Sequence, residues 1–291
     1  MTAFRLAHLS DPHLPPPPIP FRAADLVSKR LLSRFAWRRK HHRHSRVVLD
    51  ALTADVAARA PDHIAVTGDL TNFSTPQEYA AARAWLETLG DASAVTVSPG
   101  NHDALVRRGA PEGFAPWAPW LGDDAAGFPH LRVRGPVAIL NLSSAVATPP
   151  HSARGRLGRA QVERAAALLR EAEGLFRVVL IHHPPAPGLV SPRKSLVDAQ
   201  DLRAALAEAG AELVLHGHSH EGSLAAVRGA IGPIPVLGVP SASTPAGRPE
   251  RAARWNEIAV VRDGARFRAE VRVRGVTEDL RFVDLGRYGL A

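Results

Sequence analysis

The chain has 291 residues, 45% of them apolar and 22% charged, which is ordinary for a globular protein able to bury a sizeable core. It contains no cysteine, so disulfides and thiolate metal ligands are excluded, and any metal site must use nitrogen and oxygen donors. The net charge of +8 belongs to one segment: residues 27–46 (VSKRLLSRFAWRRKHHRHSR) carry eight of the 36 basic residues and no acid, and the remaining 28 match the 28 acidic residues. A nucleic-acid-binding fold would spread its cations over several elements, so nucleic acid is not the expected partner.

The opening stretch MTAFRLAHLSDPH lacks a basic run followed by a long apolar one, so no signal peptide is expected. No apolar run approaches the roughly 18–20 residues of a membrane span. The expectation is a cytoplasmic protein, with peripheral membrane contact left open. Phe4–Leu9 reads as a strand ending at Ser10-Asp11. Pro15–Pro18 is extended, because consecutive prolines cannot be helical. The basic segment is expected to be helical, and Val47–Arg59 to be an amphipathic helix. His63–Thr67 is a short apolar strand running into Gly68-Asp69. Thr75-Pro76 opens a helix to Leu89, with a threonine cap and a proline in the first turn. Ala94–Ser98 is a strand that leads into Pro99-Gly100-Asn101-His102. Val137–Leu142 and Phe176–Ile181 are buried strands on either side of a helix at Gly158–Glu171. Leu213–His216 runs into Gly217-His218-Ser219-His220. Val236–Val239, Ile258–Val261 and Phe267–Val273 are further strands, the last two joined by a hairpin at Asp263-Gly264. Alternating strands and helices indicate an α/β fold without an internal repeat.

Five strands end in polar clusters: SDPH, TGDLTN, SPGNHD, HHPP and HGHSH. Ligands of open α/β sheets collect beyond the carboxyl ends of strands, so five such ends can converge on one site. Each cluster alone is weak, since a strand-end Asp is usually a cap or turn former. Together they hold two carboxylates, one amide and four imidazoles. That donor set suits a pair of borderline divalent ions such as Mn, Fe, Zn or Co. A pair needs a bridging carboxylate, and it lowers the pKa of bound water and clamps phosphoryl oxygens, which is the apparatus for in-line hydrolysis of a phosphate ester.

The order D-x-H, G-D, G-N-H-D, H, G-H-x-H from Asp11 to His220 resembles the calcineurin-like metallophosphoesterase superfamily. The TGDLTN, PGNHD and HHPP loops and the basic segment after the first motif are most similar to its bacterial class III cyclic-nucleotide phosphodiesterase branch. The resemblance implies a four-layer αββα sandwich of two mixed sheets. One domain is expected over residues 1–275, with 27–46 as a basic helical insertion and about 221–275 largely as strands of the second sheet. Residues 276–291 are expected as a short C-terminal tail packing on the domain or on a partner subunit. By the same resemblance, Asp11, His13 and His220 bind a first metal, and Asn101, His182 and His218 a second. Asp69 bridges them, and a hydroxide between the ions attacks phosphorus. His102 acts as general acid or stabilises the transition state, while His183 faces the substrate or lies behind the ligands.

Among the other residues, His8, His63 and His216 are read as satisfied core groups or partners of ligands. Asp103 is expected to orient His102 or a loop amide. His41, His42 and His44 are read as solvated, and Trp117 and Trp120 as packing a loop. Segments 104–135 and 184–197 are expected to wall the pocket. The expected substrate is a phosphodiester: a cyclic nucleotide, a glycerophosphodiester or a nucleotide-linked pyrophosphate. Three alternatives stand beside it. The first is a membrane-surface hydrolase of lipid phosphates or pyrophosphates, because Leu31, Leu32, Phe35 and Trp37 interleave with arginines as in an interfacial helix. The others are a nuclease and a non-catalytic scaffold of the same fold. An oligomer is left open.

Overall fold

The computed structural model describes residues 3–18, 28–106, 113–124, 127–264 and 266–290. Among them are two six-stranded sheets. In the first, β1 (Phe4–Leu9), β2 (His63–Val66) and β3 (Val95–Val97) run parallel. Antiparallel strands β10 (Arg254–Asp263), β11 (Arg266–Val276) and β12 (Phe282–Leu290) extend it, giving the order β12-β11-β10-β1-β2-β3. The second contains β4 (His130–Arg134), β5 (Val137–Asn141), β6 (Phe176–Leu180), β7 (Leu213–His216), β8 (Ser223–Arg228) and β9 (Pro233–Gly238). Its order is β4-β5-β6-β7-β9-β8: β5, β6, β7 and β9 are parallel, and β4 and β8 are antiparallel edges.

Side-chain alternation decides the layering. Leu6, Ala65 and Ile258 of the first sheet pack with Ile139, Val178, Leu180, Leu213 and Leu215 of the second, making a core between the sheets. The intervening residues face the other way. Ala7, Ile64, Val66 and Val97 pack under α2 (Arg46–Arg59) and α3 (Pro76–Leu89) through Leu49, Leu52, Trp85 and Leu86. Leu140, Val179 and Val214 pack under α4 (Arg159–Glu171) and α5 (Ala199–Ala209) through Leu169, Leu202 and Leu206. Strands covered on both faces are buried at every position and read as near-continuous apolar runs rather than alternating ones, as β2, β5 and β7 do. The result is helix, sheet, sheet, helix. Each fully buried Val or Leu contributes roughly 1.5–3 kcal/mol relative to exposure.

Helix α1 (Lys29–Lys40) is capped by the Ser28 side chain and fastened to two loops. Lys29 Nζ donates to Thr148 Oγ1 and to the Ser152 carbonyl at 2.7 Å, and Arg30 Nε donates to the Phe73 carbonyl at 2.8 Å. Residue 27 of the basic segment lies outside the described residues. Three differences from the sequence reading stand out. Residues 221–275 divide, with β8 and β9 in the second sheet and β10 and β11 in the first. The segment expected as a C-terminal tail contains β12, paired with β11 from Val276↔Phe282 to Ala269↔Leu290. Strands β4 and β8 and helix α5 have no counterpart in the sequence reading, because β4 and β8 are edges whose half-exposed residues give a weak period.

Candidate metal centre

The carboxyl ends of β1, β2 and β3 meet those of β6 and β7 at one end of the sandwich. Ser10 forms a parallel bridge to Ser241 beyond β9, and the Ala242 amide donates to the Ser10 carbonyl at 2.8 Å, joining the sheets there. The Asp11 amide donates to the Gly68 carbonyl at 2.9 Å and the Gly217 amide to the His182 carbonyl at 3.1 Å. Asp11, His13, Asp69, His218 and His220 all have positive φ, between 42° and 67°. Asp and His tolerate this region better than most residues, yet each instance costs on the order of 1–3 kcal/mol. Five such residues in one place are the mark of a built site. Gly217 is required by space: a Cβ there would collide with Ser10 Oγ and Asp11. Gly100 is constrained in the same way by Asp69.

All seven expected ligands converge. Single donor atoms of Asp11, His13, Asp69 and His220 lie within 4.8 Å of one another, and so do those of Asp69, His182 and His218. Asn101 joins the second group, its Oδ1 3.2 Å from His182 Nε2. Asp69 belongs to both groups. Its Oδ1 accepts from the His102 amide at 2.7 Å, and its Oδ2 lies 3.4 Å from His182 Nε2 and 3.8 Å from His13 Nε2.

The ring orientations are set from behind. His13 Nδ1 donates to Asn72 Oδ1 at 3.1 Å, and Asn72 is itself fixed by donating to the Leu14 carbonyl at 2.7 Å. Glu78 of α3 accepts from the Asn72 and Phe73 amides and from Thr75, so the capping box of α3 also holds this loop. His182 Nδ1 donates to the Thr67 carbonyl at 2.6 Å, and His218 Nε2 to the Lys194 carbonyl at 2.9 Å. Such outer hydrogen bonds fix the tautomer of a ligating imidazole. Each of these three rings is left with its second nitrogen for the donor group.

A divalent cation fits this arrangement. Asp11 Oδ2 accepts from Ser10 Oγ and from the His218 amide, but the buried Oδ1 has no hydrogen bond and faces His220 Nε2 at 3.1 Å. Burial pushes the His13 imidazole down to about 3 against the pull of Asp69 and Asp11, so it is neutral there. Burial also works against His182, yet the Asp69 carboxylate raises it to about 9. Asp69 is held well below the usual carboxylate range by His182 and His102, although burial opposes this. Without a metal, the buried carboxylates are balanced by a proton on His182.

His102 Nδ1 donates to the Asn72 carbonyl at 3.1 Å, leaving Nε2 for the adjoining cavity of about 600 Å³ that the His102 ring lines. Asp103 accepts from the Thr71 and Gly100 amides and orients the loop rather than His102. His183 does not reach the cavity. It is fully buried, with Nδ1 2.7 Å from Ser144 Oγ and Nε2 donating to the Ala153 carbonyl, so it cannot bind substrate there and stands behind His218, ring centroids 4.3 Å apart. His8 and His63 are buried against Thr67 and Thr96, and Trp117 and Trp120 are buried as packing residues.

The cavity wall departs from expectation. Of the segments 104–135 and 184–197, only Lys194 lines it among the described residues. The wall comes instead from α1 and the turn after it (Trp37, Arg43, His44) and from the loop after β9 (Pro245, Arg248, Arg251). His44, read as solvated, lies beside the ligands, its ring centroid 4.4 Å from that of His13. Nothing in the sequence marks it apart from its neighbours His41 and His42. Asn72 carried a signal: it sits three residues after Asp69 in the TGDLTN loop.

Residues 4–222 match the calcineurin-like phosphoesterase family. A "Probable cyclic nucleotide phosphodiesterase" of Synechococcus sp. is 28% identical over 220 residues, 74% of this chain and 78% of that protein. The glycerophosphodiester phosphodiesterase GpdQ of Enterobacter lignolyticus is 28% identical over 188 residues, 62% of this chain and 57% of that one. A purple acid phosphatase from yellow lupin (Lupinus luteus) seeds shares the fold with a TM-score of 0.62 at 12% identity, covering 99% of this chain and 53% of the lupin chain. The family match spans both donor groups, from the strand that carries Asp11 to the loop that carries His220. The chain belongs to the calcineurin-like phosphoesterase family.

Proposed function

We propose that this protein is a two-metal phosphodiesterase. One ion would be held by Asp11, His13, Asp69 and His220 and the other by Asp69, Asn101, His182 and His218, with Asp69 bridging. The observation that carries this reading is that a single carboxylate, Asp69, is common to both donor groups. Borderline divalent ions (Mn, Fe, Zn or Co) match the mixed nitrogen and oxygen donors. When bound, such a pair generates a nucleophile at neutral pH and clamps phosphoryl oxygens. The chain's own residues supply the rest. Asn72 and Thr67 orient His13 and His182. His102, its Nδ1 committed to a carbonyl, offers Nε2 to the phosphoryl group or the leaving oxygen.

The leaving group would occupy the cavity under α1, where Arg43, Lys194 and Arg248 favour anionic substrates. Two relatives carry the names of cyclic nucleotide and glycerophosphodiester phosphodiesterases, and both substrates fit a cavity of about 600 Å³. The test is metal analysis of the purified protein, followed by hydrolysis of bis-p-nitrophenyl phosphate, cyclic AMP, a glycerophosphodiester and single-stranded DNA with added Mn. Two ions per chain and turnover of the small diesters are expected. A strong preference for DNA would favour a nuclease, and metal-independent turnover would refute the reading.

A second reading concerns location. Leu32 and Phe35 remain 45% and 56% exposed on a helix that also exposes Arg38 and Arg39, the pattern of an interfacial basic helix. Co-sedimentation with anionic vesicles is then expected, and its absence would remove this reading.

A further inference from the structure

His44 is delivered to the cavity by the turn after α1, a segment tied to the loop after β2 through Arg30 and Phe73 and to the loop after β9 through Ser45 and Ser243. The Ser45 amide donates to the Ser243 carbonyl at 2.7 Å, and His44 Nδ1 lies 2.9 Å from Ser243 Oγ. Trp37 of α1 stacks on the imidazole at 5.7 Å with planes 8° apart. One ring nitrogen of His44 lies within 4.8 Å of ring nitrogens of both His13 and His220. It does not join the group that contains the Asp11 and Asp69 carboxylates, so it stands at the edge of the donor set rather than inside it. Its ring and that of His102 both lie against His13, at 4.4 and 5.0 Å, and both line the cavity.

The geometry points to His44 as a catalytic residue that contacts a phosphoryl oxygen of the substrate through Nε2–H, on the Asp11–His13–His220 side of the cavity. This deepens, and rests on, the phosphodiesterase reading. The second ring nitrogens of the two histidines differ in a way that supports different roles. Ser243 Oγ is a hydroxyl and is able to donate to Nδ1, which lets a neutral His44 carry its proton on Nε2 and act as a donor. The partner of His102 Nδ1 is the Asn72 carbonyl, which only accepts, so a neutral His102 presents a bare Nε2. A fixed donor stabilises charge that gathers on a non-bridging oxygen in the transition state. An acceptor beside it suits proton transfer. The stack on Trp37 and the Ser243 anchor hold His44 in place before substrate arrives, which is what makes such a donor effective.

The test uses the Mn-loaded full chain as wild type, His44→Ala and His44→Gln. Three quantities are measured: Mn bound per chain, kcat/KM on bis-p-nitrophenyl phosphate, and orthophosphate affinity by calorimetry. Both variants should bind as much Mn as wild type. Their kcat/KM should fall about 10²–10³-fold, as for loss of one transition-state donor. Orthophosphate should bind more weakly, and added imidazole should restore part of the activity of His44→Ala. Variants within threefold of wild type in both kcat/KM and phosphate affinity would show that His44 is a bystander. Loss of an ion from both variants would make it a metal ligand and would also overturn the proposal. If His44→Ala does not fold, His44→Gln decides. A wild type inactive on this diester refutes the phosphodiesterase reading itself, whereas an active wild type with unimpaired variants refutes only the role of His44.

Discussion

The Nε2 atoms of His13 and His220, 207 residues apart in the chain, face each other at 3.3 Å. His13 donates through Nδ1, so its Nε2 holds a lone pair available to a cation beside the His220 ring. Ion binding must therefore couple to stability and to protons. His182 is held up to about 9 by Asp69 in the ion-free protein, so it is protonated below that pH and an ion must displace its proton. Metal affinity is expected to rise with pH as far as about 9, with proton release on binding. Calorimetry in two buffers of different ionisation enthalpy measures this, and identical heats would refute it. A chelator should lower the melting temperature, because an ion at 100 times its Kd stabilises by about 2.7 kcal/mol.

The Asn72 side chain accepts from His13, whose ring it orients, and donates to the Leu14 carbonyl. Asn72→Ala is expected to cost about 10–100-fold in metal affinity or activity, the usual effect of losing an outer hydrogen bond. Competition with a chromogenic chelator reads the affinity directly. Unchanged values in both assays would mean that His13 is held by its neighbours alone.

His102 has its amide on Asp69 and its Nε2 in the cavity. His102→Gln keeps the backbone contact and removes the imidazole. It should lower kcat about 10²–10⁴-fold, the range for a proton-transferring residue, while both ions stay bound. If kcat holds and only the ion content falls, the residue serves the metals and not the substrate.

His63 is far from this chemistry in role: it is buried and paired with Thr96 Oγ1 at 2.8 Å. Burial first, then the Arg132 and Arg134 cations, push it from 6.5 down to about 3. Between those values the unfolded chain binds a proton that the folded chain does not. Its contribution to stability is therefore complete above pH 6.5 and is lost as pH falls towards 3, with a slope of at most about 1.4 kcal/mol per pH unit. His63→Gln should flatten the dependence of the urea midpoint on pH between 4 and 6.5. Parallel curves for variant and wild type would contradict this.

The α/β class and the buried strands β1, β2, β3, β5, β6 and β7 were legible because their apolar runs are short and continuous, and all but β5 lead into Gly, Asp or His within three residues. The edges β4, β8 and β12 were not, since an edge strand gains its order from a neighbour rather than from its own pattern. The donor motifs were legible for a related reason. The Gly68-Asp69 and Gly217-to-His220 motifs combine residues at positive φ with glycines that close approach demands, and both requirements act within a few residues of the chain.

The sequence by itself determined the donors: two carboxylates, an amide and four imidazoles at the ends of particular strands. Only the tertiary structure decided which neighbouring histidines share the cavity. His44 enters it and His183 is buried behind it, although each sits in a run of similar residues. The physical reason is that strand-end placement is set by local backbone sterics, whereas the seat of His44 depends on Ser243, 199 positions away, and on where two sheets meet.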